Sequence, residues 1–212
     1  MESKLRMAQF HITNKCNLNC IFCGVRKFPK LGELTDKKWI DILDNVIKMS
    51  PIEITISGGG EPLLRMPLLK HMIKEVKKHG IHGTLITNGT IFDDELIKEM
   101  VSNGWDEVRI SLHSPSEELD YSIRGYRDAF QKSIQFIQKI NDYKIEKNLR
   151  NPLICLWYVI SKLNWQYLED FVNFGIKLNA DEIKFRLVNE GEVKEKLSLD
   201  NNQLAEVRKK IT

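Results

Sequence analysis

Four cysteines in 212 residues, no apolar leader at the N-terminus and no 18-residue apolar run are the first absences in this chain. A disulfide scaffold and a membrane-spanning helix are thereby excluded, and a reducing, cytoplasmic setting is expected. Charge of one sign is lacking too: 32 basic and 29 acidic residues leave a net charge of +3. Both signs are interspersed along the helical segments, so neither nucleic acid nor a membrane surface is indicated as a partner. Lysine-rich stretches such as 74–78 read as solvated helix faces. Low-complexity tracts and obvious linkers are missing, so a single domain over residues 1–212 is expected, with 42% hydrophobic content to build one core.

Three of the cysteines, Cys16, Cys20 and Cys23, are instead concentrated in one run, Cys-Asn-Leu-Asn-Cys-Ile-Phe-Cys. Thiolates at these steps can converge on one soft metal centre, and such ligands select zinc, copper(I) or iron–sulfur clusters. A cubane cluster takes four thiolates, one per iron, so three leave one iron for another ligand. A zinc loop would need His11 or the distant Cys155 as fourth ligand, and structural zinc usually recruits a second Cys or His pair, which this sequence does not offer. Further on the chain reads Gly58-Gly59-Gly60-Glu61-Pro62. A triple glycine is an ordinary tight turn or a backbone that approaches a ligand closely. Glu61 can accept a charge-assisted hydrogen bond from an ammonium group.

Strand and helix signals alternate about six times, which means βαβ units and a parallel sheet. Strands are expected at 7–13, 52–57, 83–87, 107–112, 153–160 and 182–187. Between them, Thr35 is set to cap a helix with Trp39, Ile42, Leu43, Val46 and Ile47 on one face. Pro67 opens a second helix that Gly80 stops. Helices at 94–103 and 127–142 follow, the latter with Phe130, Ile134 and Ile137 on its face. A fifth has Trp165, Leu168, Phe171, Val172 and Ile176 on one side, and a last runs over 201–211.

Several strands alternate rather than reading as the apolar runs of a sheet buried on both faces. Ile52, Ile54 and Ile56 alternate with Glu53, Thr55 and Ser57; Val108, Ile110 and Leu112 alternate with Glu107, Arg109 and Ser111. With helices outside, the polar set points into a lined cavity, as in a partial barrel. An open twisted sheet with one exposed face is the alternative. Catalytic groups of parallel barrels collect at the C-terminal strand ends. The cysteine loop, residues 58–62, Thr87-Asn88-Gly89 and the Ser111, His113, Ser114 group all follow strands on that rim. Lys184 and Arg186 should point inward, pairing with Glu53 or Glu107 or meeting an anionic ligand. Cys155 reads as a small core residue.

The cysteine run and the Gly-Gly-Gly-Glu segment resemble the CxxxCxxC and Gly-Gly-Glu signatures of the radical S-adenosylmethionine (SAM) enzymes. The resemblance implies a partial (β/α)6 TIM-like barrel with a [4Fe-4S] cluster on Cys16, Cys20 and Cys23 and SAM on the fourth iron. Reductive cleavage of SAM would then give a 5′-deoxyadenosyl radical that takes hydrogen from a substrate. It further implies an oxygen-sensitive activity and flavodoxin or ferredoxin as electron donor. Gly58, Gly59, Gly60 and Glu61 would meet the SAM amino group and Phe22 the adenine; Ser111 and His113 occupy positions of ribose contacts, although many relatives carry an acid where His113 stands. Asn88 resembles a Thr-Asn-Gly turn common in relatives, and Asn-Gly is also a generic turn dipeptide. Arg124, in Tyr121-Ser-Ile-Arg124-Gly125, is a carboxylate partner or a surface helix cap. Arg186 is assigned to a ligand. Relatives with this segment often carry a cysteine-rich C-terminal extension. None is present here, so the chain is the N-terminal part of a longer protein or works without auxiliary clusters. The substrate expected is a peptide or protein, or a small metabolite. A non-catalytic iron–sulfur electron-transfer or structural metal module is the alternative from another class.

Overall fold

A computed structural model describes residues 5–24, 32–188 and 196–211. Six parallel strands, β1 (Met7–His11), β2 (Glu53–Ser57), β3 (His82–Thr87), β4 (Glu107–Ser111), β5 (Leu153–Ile160) and β6 (Glu182–Leu187), pair in chain order into one open sheet. Helices α1 (Asp36–Lys48), α2 (Met66–Lys78), α3 (Asp94–Ser102), α4 (Glu117–Arg124), α5 (Ala129–Lys147), α6 (Leu168–Lys177) and α7 (Asn201–Ile211) complete the alternation. The sheet curls far enough that His11 of the first strand and Arg186 of the last line one cavity. This is the expected partial (β/α)6 barrel.

Local chemistry sets the helix ends. Thr35 accepts the Lys38 N–H at 3.3 Å and Asp93 accepts the Leu96 N–H at 2.7 Å, each answering an orphan donor of a first turn. Gly80, at φ +65°, follows the end of α2. The outward strand residues Ile54, Ile56, Leu85, Val108, Ile110, Ile154 and Leu156 are fully buried against Leu69, Met72, Leu96, Met100, Phe136 and Ile137 of the helices. Each such side chain stabilises the fold by roughly 1.5–3 kcal/mol. At Gly83 a Cβ would lie 2.3 Å from the Trp105 ring, so the strand has no room there for a side chain.

The polar alternation faces inward, and at the N-terminal end of the barrel its charges answer one another. Register aligns Thr84 with Glu107 and Arg109 with Cys155. Thr84 Oγ1 lies 3.2 Å from Glu53 and 3.4 Å from Glu107, Arg109 donates to both Glu107 oxygens at 2.8 and 2.7 Å, and Lys184 pairs with Glu182 at 2.9 Å and Glu107 at 3.7 Å. The expected pairing of Lys184 with Glu107 is therefore present. Cys155 is fully buried as expected, but in this polar floor rather than among apolar side chains, with its thiol within 4.8 Å of Glu107 and Glu182 oxygens.

Three expectations are corrected. Val172 and Ile176 of α6 are 37% and 66% exposed; the buried stripe is Leu168, Phe171 and Gly175 instead. A Cβ at Gly175 would lie 2.6 Å from Ile183, so the helix turns its smallest residue to the sheet and rotates Val172 and Ile176 outward. Helix α5 runs five residues past the expected end at 142, because Lys144 is buried there beside Asp181 at 3.4 Å, a partner that apolar periodicity does not register. Helix α4 is additional to the six expected helices. Its buried residues include Asp120 and Arg124 beside Ile123.

Candidate functional site

The cysteine loop leaves β1 and is fastened from three sides. From the end of β2, Gly60 N donates to Thr13 O at 2.9 Å and Glu61 N to Lys15 O at 2.7 Å. At the exit of β3, Asn88 Nδ2 donates to Asn17 Oδ1 at 3.0 Å and lies 4.0 Å from Cys16 Sγ, while Asn17 Nδ2 donates to Thr90 Oγ1 at 2.8 Å. From α4, the carbonyls of Arg124 and Ile123 accept the Asn19 and Ile21 N–H groups at 3.0 and 2.9 Å. Within the loop, Cys16 Sγ accepts the Leu18 N–H at 3.4 Å.

The glycines also serve the loop's own packing. A Cβ on Gly60 would sit 1.8 Å from Lys15 O, and one on Gly58 would sit 2.5 Å from Gly60 O and 3.0 Å from Thr13 O. The close approach is to the backbone of the cysteine loop, and the glycines then line the cavity on their other side. Glu61 is buried and accepts from Leu63 N at 3.0 Å, Thr87 Oγ1 at 2.6 Å and Asn88 N at 2.7 Å. Burial pushes its carboxyl up to about 7 against these hydrogen bonds. Three of the roughly four acceptor positions of a carboxylate are thus used by the protein, and one remains.

These residues surround a cavity of about 710 Å³, within the size range of small-molecule sites. Cys16, Cys20, Cys23, Phe22, Gly58, Gly59, Gly60, Glu61, Asn88, Ser111, His113 and Arg186 all line it. His113 packs edge-on to Phe22 with ring centroids 4.8 Å apart, and its Nδ1 accepts the Val159 N–H at 3.2 Å. Burial, with Arg124 and Arg186 adding to it, lowers its pKa to about 3, so the ring is neutral with its proton on Nε2. Arg124, read as a carboxylate partner or a surface helix cap, is fully buried and is not among the cavity-lining residues; the carboxylate it pairs with is the protein's own Asp120. Sequence reasoning placed Thr87 on the rim without a role and missed Asn17, Asp120 and Ser133, which hold the site together. Only the four-residue spacing of Asp120 and Arg124 could have flagged one of them.

Do the three thiols fit a cluster? All are free. Among the described residues the only set of three or more His, Cys, Asp and Glu donors all within 4.8 Å of one another is Glu107, Cys155 and Glu182, so the three loop sulfurs are not all that close together. Tetrahedral zinc with bonds of about 2.3 Å needs sulfurs closer together, whereas a cluster takes one thiolate per iron and separates them. Burial pushes Cys16 upward and Cys20 to about 12, so a bound cation is what would hold them as thiolates. The donor set fits an iron–sulfur cluster with one iron free for a further ligand.

Comparison with known proteins decides the family. The radical SAM superfamily model matches residues 10–175. The chain belongs to the radical SAM superfamily. Radical SAM proteins use a [4Fe-4S] cluster and SAM, and Cys16, Cys20 and Cys23 fit the CxxxCxxC motif. The chain is 28% identical over 175 residues to the PqqA peptide cyclase of Bradyrhizobium diazoefficiens, covering 82% of this chain and 44% of that protein. It is 32% identical over 172 residues to a probable GTP 3′,8-cyclase of Sulfurisphaera tokodaii, covering 81% and 52%. Among solved structures, Streptococcus suis SuiB bound to S-adenosylmethionine superposes with a TM-score of 0.80 at 16% identity, over 98% of this chain and 47% of SuiB, which is a likeness of fold. The chain spans about half the length of the curated relatives it matches.

Proposed function

We propose that this chain is the SAM-cleaving core of a radical enzyme that modifies a peptide. The observation that carries the reading is the arrangement of three free thiols, the Gly58 to Glu61 backbone and the wall residues around one 710 Å³ cavity. Similarity to a peptide cyclase supports the peptide, as does the fold likeness to SuiB, which has also been crystallised with its precursor peptide SuiA. The GTP cyclase relative favours a second reading, a small metabolite as substrate.

When bound, the cluster and SAM supply one electron and an organic radical able to take hydrogen from an unactivated carbon. Cys16, Cys20 and Cys23 would hold three irons. The remaining acceptor position of Glu61 suits the methionyl ammonium, and Phe22 with neutral His113 forms a wall for the adenosine. Ser111, Asn88 and Arg186 supply polar groups from β4, the β3 exit and β6. At a pKa of about 3, His113 serves as a hydrogen-bonding group and not as a proton carrier at neutral pH. Leu18, Phe22, Ile86, Trp157 and Val159 give the cavity apolar walls that exclude water. A flavodoxin or ferredoxin in the cytoplasm is the donor this reading requires.

Anaerobic reconstitution with iron and sulfide, then dithionite and SAM, should give 5′-deoxyadenosine, lost in Cys16→Ala, Cys20→Ala and Cys23→Ala. A stable cluster without cleavage would instead favour an electron-transfer module. With deuterated candidates, label carried into 5′-deoxyadenosine from a peptide supports the first substrate reading, and from GTP the second.

A further inference from the structure

Asp120 and Arg124 stand one turn apart on α4 with no exposed surface on either side chain. A buried pair of this kind seldom adds net stability, because desolvating two charges offsets their attraction. Its neighbours point to another use. Arg124 Nε lies 2.8 Å from both Asp120 oxygens, and Nη1 reaches Asn88 O at 3.4 Å, Ser111 O at 3.2 Å and Ser133 Oγ at 3.0 Å. Ser133 Oγ itself donates at 2.8 Å, to Asn88 O or Ala129 O. The Arg124 carbonyl accepts the Asn19 N–H of the cysteine loop. One residue thus joins α4, α5, the ends of β3 and β4, and the loop that carries the thiols. Its last donor, Nη2, is buried without a hydrogen-bond partner among the described residues. Asn19, whose N–H the Arg124 carbonyl accepts, is the chain neighbour of Cys20, so Arg124 is in direct backbone contact with the thiol loop.

We propose that Arg124 is a positioning residue for the metal cluster, its guanidinium pinning to the Asn88 turn the end of α4 whose carbonyls hold the cysteine loop, and its charge stabilising the more negative state of the loaded site. The proposal rests on the iron–sulfur reading above. A buried positive charge held behind the cysteine loop favours the reduced cluster, so removing it drives the potential down. Lysine keeps the charge but has no planar fork for a carboxylate and three further acceptors.

The test compares wild type with Arg124→Lys, Arg124→Met and the double variant Asp120→Leu/Arg124→Met, in which no buried charge is left unpaired if the single change prevents folding. Redox titration of the reconstituted proteins, followed by the paramagnetic signal of the reduced cluster, gives the potential. Hydrogen exchange at the Asn19 and Ile21 amides of the metal-free chains gives the lock. In Arg124→Met the reduction equilibrium should fall at least tenfold, about 59 mV for one electron. The double variant should move the same way by less. Arg124→Lys should stay within threefold in the reduction equilibrium while both amides exchange at least tenfold faster. A loaded double variant with wild-type potential, or unchanged exchange in Arg124→Lys, overturns the proposal. Wild-type protein that takes up no cluster overturns the iron–sulfur reading instead, and the exchange measurement still decides the lock.

Discussion

The two ends of the barrel are built from the same polar alternation and use it differently. At the N-terminal floor Glu53, Glu107, Arg109, Lys184 and Thr84 satisfy one another within short distances. At the C-terminal rim the polar groups are spent on holding loops in place, and three thiols face the cavity free. The floor is closed chemistry and the rim is open chemistry. A charged cluster is therefore a functional candidate only where donors and acceptors remain after the protein has been counted, which is why Cys155 with its two glutamates carries less weight than a loop of comparable composition.

The sharpest break in this comparison is at the thiols. Alanine at any of the three positions should abolish iron retention and SAM cleavage while leaving the far-ultraviolet circular dichroism and the floor intact. Next come two glycines that differ only in what they would strike. Gly60→Ala should drive the cysteine loop off its seat, costing about 3 kcal/mol or more and most of the bound iron, because a backbone carbonyl 1.8 Å away cannot give. Gly83→Ala, against the Trp105 ring, should cost about 1–3 kcal/mol in denaturant titration and leave iron per folded chain unchanged. Glu107→Gln would strip Arg109 and Lys184 of a charge partner. Loss of about 1–2 kcal/mol is expected, a few degrees of melting temperature, with 5′-deoxyadenosine formation per folded chain unaltered.

The smallest effect is in the acid response of the metal-free chain. His113 is depressed from 6.5 to about 3, so its contribution is present above 6.5 and is lost as pH falls toward 3. Glu107 is held below its ordinary 4.5 because Arg109, Lys184 and Thr84 outweigh its burial, so its contribution is lost only below 4.5. Glu61, raised from 4.5 to about 7, acts in the opposite sense and loses stability as pH rises through that interval. Stability measured against pH for His113→Gln, Glu107→Gln and Glu61→Gln should differ from wild type in those three windows and with those signs. A common window for all three would remove the distinction between rim and floor.

Much of this was legible in the sequence. β5 and β6 were read to the residue, because apolar side chains and alternating charges mark a half-wet strand directly. The thiol run and the residues of the cavity wall were legible because their order along the chain matches their order around the rim. Arg124 was not, since nothing in Tyr121-Ser-Ile-Arg124-Gly125 tells a buried arginine from a surface one; that depends on Ser133 and Asn88, brought there by other elements. The true neighbours of Gly58 and Gly60 were hidden for the same reason. Periodicity tells which side of an element is wet and leaves open which backbone lies against it.

The fastening of the cysteine loop carries a consequence for the order of assembly. Three thiols spaced within eight residues are available to any soft metal ion as soon as the chain emerges, yet their arrangement depends on Gly60, Asn88 and the carbonyls of Ile123 and Arg124. The last of these lies more than a hundred residues downstream of Cys16. Until α4 has docked, a nascent chain offers a promiscuous chelator; afterwards it offers a shaped seat. Discrimination between metals would then be a matter of timing: a centre installed after half the barrel has closed meets the shaped seat, and early metal capture would be a route to a misloaded protein.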